Sequence, residues 1–272
     1  MSFLRAIPPR ASTFAAVLLV AGYGCGTPST IGDASDVAAD AADAADAAVD
    51  TPTGPRCGAT APACQDQSIQ RLPMFPSPTG ALIAPVSSTN GVFVSEVNAV
   101  GGGITPTLSF VYARFTDTGL EKVAISDEDS LASLDWDIAF RRFVIRLNSG
   151  VSGPSCVDAA QTPGGTSFDT LATVPPGLSY GTEAYFDPAC AYVADSSGLG
   201  SPGSVLSTFW NYTSCVQMTG AVYVIRLRDG RQVKMQVLSY YSPAVQQQCD
   251  TTGTATSTSA AHVRIQWAFL GG

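Results

Sequence analysis

The chain has 272 residues, a formal net charge of −8 and one histidine, and only 13% of it is charged. An acid excess leaves no basic face for a phosphate backbone, which excludes nucleic acid as a partner. One histidine and the lack of any C-x-x-C pair argue against a structural zinc site.

The first residues read as an export leader. Arg5 and Arg10 make a positive start, and residues 13–21 (TFAAVLLVA) form an apolar core too short to cross a bilayer. Gly22, Gly24, Cys25 and Gly26 follow and resemble a bacterial lipobox. Cys25 is then the lipid-attachment site and residues 1–25 the leader, although Gly22 stands where that motif carries an aliphatic residue. Residues 26–66 read as a disordered Ala/Asp-rich tether. Their aspartates repeat every three residues and leave no apolar stripe on a helix.

Residues 67–272 read as one all-β domain of two packed antiparallel sheets. Strand-like runs recur between Gly, Pro and Ser clusters. Residues 91–100 are followed by the Gly101–Gly103 triplet, which opens no helix and so makes a poor phosphate cradle. Residues 107–115 put Leu108, Phe110 and Tyr112 on one face, and residues 122–125 are short. Residues 125–130 (ISDEDS) lack the spacing and glycine of a calcium loop and read as a solvated loop. Helix signals are weak, with one short turn expected at 130–134.

In residues 136–150 (WDIAFRRFVIRLNSG) the apolar positions change parity. Trp136, Ile138 and Phe140 are even, whereas Phe143, Ile145 and Leu147 are odd. Alternate residues of a strand point to opposite faces, so a bulge or sharp corner is expected at Arg141 and Arg142. Both halves then face the core, and Asp137 is placed to pair with the arginines. Weak strands follow at 166–172 and 183–186, then a candidate at 204–212.

Residues 221–241 form a hairpin. A three-residue loop, Arg228, Asp229 and Gly230, pairs Ile225 with Val233 and Tyr223 with Met235, and gives Gly230 the left-handed position. The final strand, 261–270, sets Val263, Ile265, Trp267 and Phe269 on one face. Six cysteines besides Cys25 (Cys57, Cys64, Cys156, Cys190, Cys215 and Cys249) are expected to form three disulfides in an oxidising compartment. A local Cys57–Cys64 loop is one of the pairings open.

No G-x-S-x-G elbow appears, and a serine triad has only His262 for its base. The chain reads as non-catalytic. The blocks 136–140 (WDIAF), 142–147, 148–153 (NSGVSG) and 222–241 resemble the HmuY-like family of exported bacterial lipoproteins. That resemblance implies an all-β domain anchored at the outer membrane through its lipid. It also implies capture of haem, with the iron held by two axial histidines or methionines on loops. This chain departs there, because two histidines are not available. Met74, Met218 and Met235 are the sulfur donors of the domain, and Met235 reads as core. Met218, with Trp210 and Tyr212, is the candidate lining of an apolar pocket for haem or another planar ligand. The alternative function is a structural or protein-interaction module of the cell envelope without a small-molecule site.

Overall fold

The computed structural model describes residues 55–256 and 259–271; the leader, Cys25 and most of the expected tether lie outside them. The described chain runs α1 (Gln65–Arg71), β1 (Ile83–Thr89), β2 (Val92–Asn98), β3 (Val111–Thr116), β4 (Gly119–Val123), α2 (Asp127–Ser130), β5 (Ile138–Arg141), β6 (Val144–Leu147) and β7 (Asp158–Gln161). It continues through β8 (Trp210–Tyr212), β9 (Val216–Met218), β10 (Val222–Arg226), β11 (Gln232–Ser239), α3 (Pro243–Thr252) and β12 (His262–Phe269). One sheet has the order β1-β2-β12-β11-β10-β7 and a second β4-β3-β5-β6, while β8 and β9 form a separate hairpin. The paired strands are antiparallel throughout. The domain is the all-β, two-sheet fold that the alternation predicts.

Alternation explains the main core. Tyr223, Ile225, Val233, Met235, Val263, Ile265 and Trp267 come from the larger sheet, and Phe115, Ile138, Phe140, Ile145 and Leu147 from the smaller. The Trp267 ring bridges the two, stacked on Phe93 at 4.5 Å and edge-on to Phe115 at 5.0 Å. The β10–β11 register pairs Ile225 with Val233 and Tyr223 with Met235, as the three-residue loop requires. Gly230 supplies the positive φ of 91°.

The parity change at the arginines is a chain reversal, which corrects the expected bulge or corner. Arg141 pairs with Val144 and Phe140 with Ile145, so Arg142 and Phe143 are a two-residue turn. Such a turn pairs even positions with odd ones, and this keeps both apolar sets on one face. Trp136 departs from that set. It precedes β5, so the alternation does not reach it. Its ring packs on the outer face of the small sheet with Phe110 and Tyr112, and its Nε1 donates to Ser130 O at 3.0 Å. Asn148 locks the same corner: its Nδ2 donates to Trp136 O at 2.8 Å and Ser133 O at 3.0 Å, and its Oδ1 accepts from Ser155 N. A Cβ on Gly153 would meet Asn148 Oδ1 at 2.2 Å, which gives the glycine of NSGVSG a packing reason.

Two further expectations fail for one reason. Asp137 does not pair with the arginines; its carboxylate accepts the Phe115 N–H at 2.9 Å. Residues 125–130 are not a solvated loop, because Asp127 is fully buried. Its Oδ1 accepts from Phe110 N and Tyr112 Oη, both at 2.8 Å. Its Oδ2 accepts from Phe75 N at 3.1 Å and Arg141 Nη1 at 3.3 Å. Arg141 also donates to the carbonyls of Leu72 and Pro73. Tyr112 Oη in turn accepts from Arg146, whose guanidinium is fully buried and lies 4.2 Å from the Phe110 ring centre. The arginine is drawn to Asp127 because that carboxylate is buried and Asp137 is already occupied.

The cysteines form Cys57–Cys156, Cys64–Cys190 and Cys215–Cys249, so the local Cys57–Cys64 loop is not made. Residues 55–66, assigned to the tether by composition, are fastened to the domain. Besides the two disulfides, Arg56 pairs with Asp158 at 3.0 Å. Residues 166–172 and 183–186 are not strands. Phe168 and Leu171 lie on the outer face of the large sheet, where Lys234 Nζ takes both of their carbonyls at 2.8 and 2.9 Å. The helices α1 and α3 escaped the periodicity. The second carries Pro243 in its first turn and ends on Gly253 at φ 72°. Its buried Gln246 accepts from Tyr240 N at 2.8 Å and donates to Val216 O at 2.9 Å.

Removing one partner of a buried, fully bonded ion pair leaves the other charge stranded. Asp127→Ala is expected to cost about 3–5 kcal/mol in urea unfolding. Glu121→Ala, which breaks the half-exposed Arg114–Glu121 pair, is expected to cost under about 1 kcal/mol. Similar losses for the two would remove Asp127 from its structural role.

Burial raises the Glu183 carboxyl to about 7, against the opposing pull of backbone N–H donors at Leu147 and Val205. Burial likewise raises Asp137 to about 6, against the Phe115 N–H. Both values exceed those of the unfolded chain, so the folded state holds protons that the unfolded state releases. The stability they contribute is full below about pH 4 and is lost as pH climbs through 6 and 7. The unfolding free energy from urea titration is expected to be higher at pH 5 than at pH 8, by on the order of 3 kcal/mol. Glu183→Gln should flatten most of that slope; an unaltered slope in the variant would assign it to other groups.

Candidate functional site

Trp210 and Met218 face each other across the β8–β9 hairpin, and Tyr212 pairs with Val216. The hairpin is pinned by Cys215–Cys249, by Val216 N–H to Tyr241 Oη at 3.1 Å and by Met218 N–H to Asp250 Oδ1 at 3.0 Å. Trp210 is buried, with its ring 4.8 Å from Phe143. Met218 is half-buried against the same core, while Tyr212 is 42% exposed. The three residues share one hairpin, but the Trp210 ring lies against Phe143 in the core rather than lining open space.

The other sulfur and imidazole donors are dispersed. Met235 is fully buried at the centre of the main core. Met74 lies in a satellite cluster with Leu72, Tyr185 and Phe186. His262 is on the half-exposed face of β12, its Nδ1 3.6 Å from Glu96.

An open hollow lies beside the turn of β5 and β6. Its volume is about 150 Å³, and its walls include Arg71, Ile104, Arg142, Phe143, Tyr192 and Pro202. Among the described residues no carboxylate, histidine or methionine lines it. Each wall has a local cause. Arg142 sits at φ 54° in the two-residue turn, held by its N–H to Ala99 O at 2.6 Å. Its Nη1 donates to Gly103 O at 3.2 Å. Gly101, Gly102 and Gly103 all have positive φ, and a Cβ on Gly102 would meet Thr107 Oγ1 at 1.9 Å. That tight loop pushes Ile104 out to 88% exposure. Tyr192 is fixed by its hydroxyl, which donates to Gly200 O at 2.9 Å. Arg71 ends α1 and is exposed. Among the described residues neither Arg71 nor Arg142 has a carboxylate partner. Apolar walls with unneutralised guanidiniums suit a flat apolar molecule that carries acidic groups.

Sequence reasoning missed Arg71, Ile104 and Tyr192. A signal existed for one: an isoleucine after three glycines has no strand or helix to bury it. Arg71 and Tyr192 belong to a helix and a loop joined to the hollow through Cys64–Cys190, a pairing that spacing alone left open.

Among solved structures the chain is similar to a candidate lipoprotein from Bacteroides fragilis, at 15% identity over 68% of this chain and 92% of that one, with a TM-score of 0.42. It is similar to a candidate HmuY-like heme-binding protein from Bacteroides vulgatus, at 18% identity over 68% and 96% of the two chains, with a TM-score of 0.44. It is also similar to an apo HmuY analogue from Tannerella forsythia, at 17% identity over 71% and 96%, with a TM-score of 0.36. No curated protein matches the chain. The HmuY protein family matches residues 107–253, which run from just before β3 to the end of α3. That span is more than half of the sequence, and the chain belongs to the HmuY family.

Proposed function

We propose that this is a non-enzymatic binding lipoprotein of the cell envelope, anchored through Cys25 at the outer membrane and held off the bilayer by its acidic tether. It captures a planar apolar molecule bearing carboxylates. Porphyrins have that chemistry, and a relative named for heme binding adds weight to them. The observation that carries the reading is the hollow beside Arg142, with apolar walls, three arginines and, among the described residues, no acid. At about 150 Å³ it accepts the edge of such a ligand, with Ile104 and Phe143 extending the apolar face. Phe143 also connects it to Trp210, one residue of the pocket inferred from the sequence.

The donor set does not fit iron held by two axial side chains. Met235 and Met74 are buried in separate clusters, His262 is on a sheet face, and Met218 is opposite a buried tryptophan. The protein therefore recognises the ring and its acidic groups, not the metal.

This reading makes iron irrelevant to affinity. Metal-free protoporphyrin IX and hemin, titrated into the detergent-free Cys25→Ala chain, should bind within about 3-fold of each other, a difference under ~1 kcal/mol. Arg142→Glu should weaken both by 10-fold or more, the effect of replacing an attractive charge with a repulsive one. Hemin binding that is much tighter, and lost in Met218→Ala, would return the site to axial coordination. The anchor has its own test. Cys25→Ala should move the protein from the membrane fraction to the soluble one, and retention in the membrane would exclude lipid attachment there.

A further inference from the structure

A second and larger cleft lies at the other end of the sandwich. The hollow described above adjoins Ala99, which bonds Ala261 just before β12. The second cleft adjoins Phe269, the last residue of that strand. Its volume is about 840 Å³, inside the range of small-molecule pockets. Val174, Phe269 and Leu270 give it an apolar lining, while Arg56, Arg226 and Arg231 stand with Asp117 and Asp229 at its polar side.

Its electrostatics are the reverse of the first site. Arg56 and Arg226 share Asp158, at 3.0 and 2.6 Å. Arg231 bonds Asp117 at 3.0 Å and Asp229 at 2.7 Å, and its guanidinium covers the Phe269 ring at 4.4 Å. Three guanidiniums thus meet three carboxylates, and no net charge is left to attract an ion. One polar atom is left over. The side-chain oxygen of Gln232, a lining residue, is buried and has no hydrogen-bond partner among the described residues. A buried acceptor without a donor is costly, and a ligand N–H or O–H would satisfy it.

We propose that this cleft binds an uncharged, ring-containing amphipathic molecule that donates one hydrogen bond to Gln232. The site is independent of the acidic-ligand hollow and does not rest on that reading. A class of occupant follows from the balance of charges: neutral apolar amines and alcohols fit, and porphyrin dicarboxylates do not.

N-phenyl-1-naphthylamine is a suitable probe, being neutral, aromatic and equipped with one N–H. In the Cys25→Ala chain, free of detergent, its fluorescence should rise and saturate at one equivalent. Gly271 lines the cleft, and a Cβ there meets nothing within 4 Å. Gly271→Trp should therefore fill the space and weaken the probe at least 10-fold with an unaltered melting temperature. Val174→Trp, at another lining position, fills the same cleft and serves if the first variant misfolds. Gln232→Leu should weaken binding by several-fold. Arg142→Glu should leave the probe unaffected, just as Gly271→Trp should leave protoporphyrin binding unaffected. Probe binding that never saturates, or that survives both tryptophan variants, would overturn the proposal. Loss of the probe in Arg142→Glu would place it in the other site and overturn it equally.

Discussion

Everything on the outer face of the smaller sheet depends on how Asp127 is satisfied. A buried carboxylate is tolerated only when its lone pairs are filled, and here four donors fill them. The donors come from four places: the segment after α1, the approach to β3, β3 itself and the end of β5. One side chain thus sets the position of Phe75, Phe110, Tyr112 and Arg141 together. Tyr112 extends the constraint to Arg146, and Arg146 to Ser152 at 3.2 Å, so the NSGVSG loop is held from the same centre. The pair is poor evidence of net stability, since apolar packing of equal volume often does as well. What it provides is position: Arg141 is drawn inward, and the next residue, Arg142, is left at the turn facing outward.

That division between adjacent arginines is what gives the hollow its chemistry. Arg141 carries a buried charge spent on Asp127, and burial pulls its guanidinium down to about 10. Arg142 donates to Gly103 O at 3.2 Å and has no carboxylate partner among the described residues. The Cys64–Cys190 bridge then joins α1, which ends in Arg71, to the loop that carries Tyr192. Walls from four distant parts of the chain are thus held together without a continuous strand.

The legibility of the sequence follows the range of the interactions involved. Alternation in β10, β11 and β12 is local, and Gly230 fixes the turn, so fold class and register could be read before any contact was known. The parity change in residues 136–147 was visible too, but a bulge and a two-residue turn produce the same parity. Only the pairing of Phe140 with Ile145 separates them. Trp136 was misassigned because alternation was extended back beyond the start of β5. Asp127 was missed because a carboxylate in a run of acids looks solvated until Phe75, 52 residues earlier, is brought against it. The helices were missed because their signals lie at their ends rather than their faces: Ser126 caps α2 through the Asp129 N–H at 3.0 Å, and Pro243 opens α3.

Site residues were the least legible because the walls of the hollows come largely from loops, which carry no period. Met218, Trp210 and Tyr212 were grouped by nearness in sequence, and the β8–β9 hairpin does bring two of them face to face. Nearness does not say which way a ring points, and Trp210 points into the core. The same limit applies to charge. Counting arginines cannot separate the two ends of the sandwich, since both hold three. What separates them is the placement of acids. Asp117, Asp158 and Asp229 neutralise one end, whereas Asp127, beside the other, is buried and its lone pairs are filled by Arg141, Tyr112 and two backbone N–H groups. Arg71 and Arg142 have no carboxylate partner among the described residues, because the one buried beside the turn is already filled.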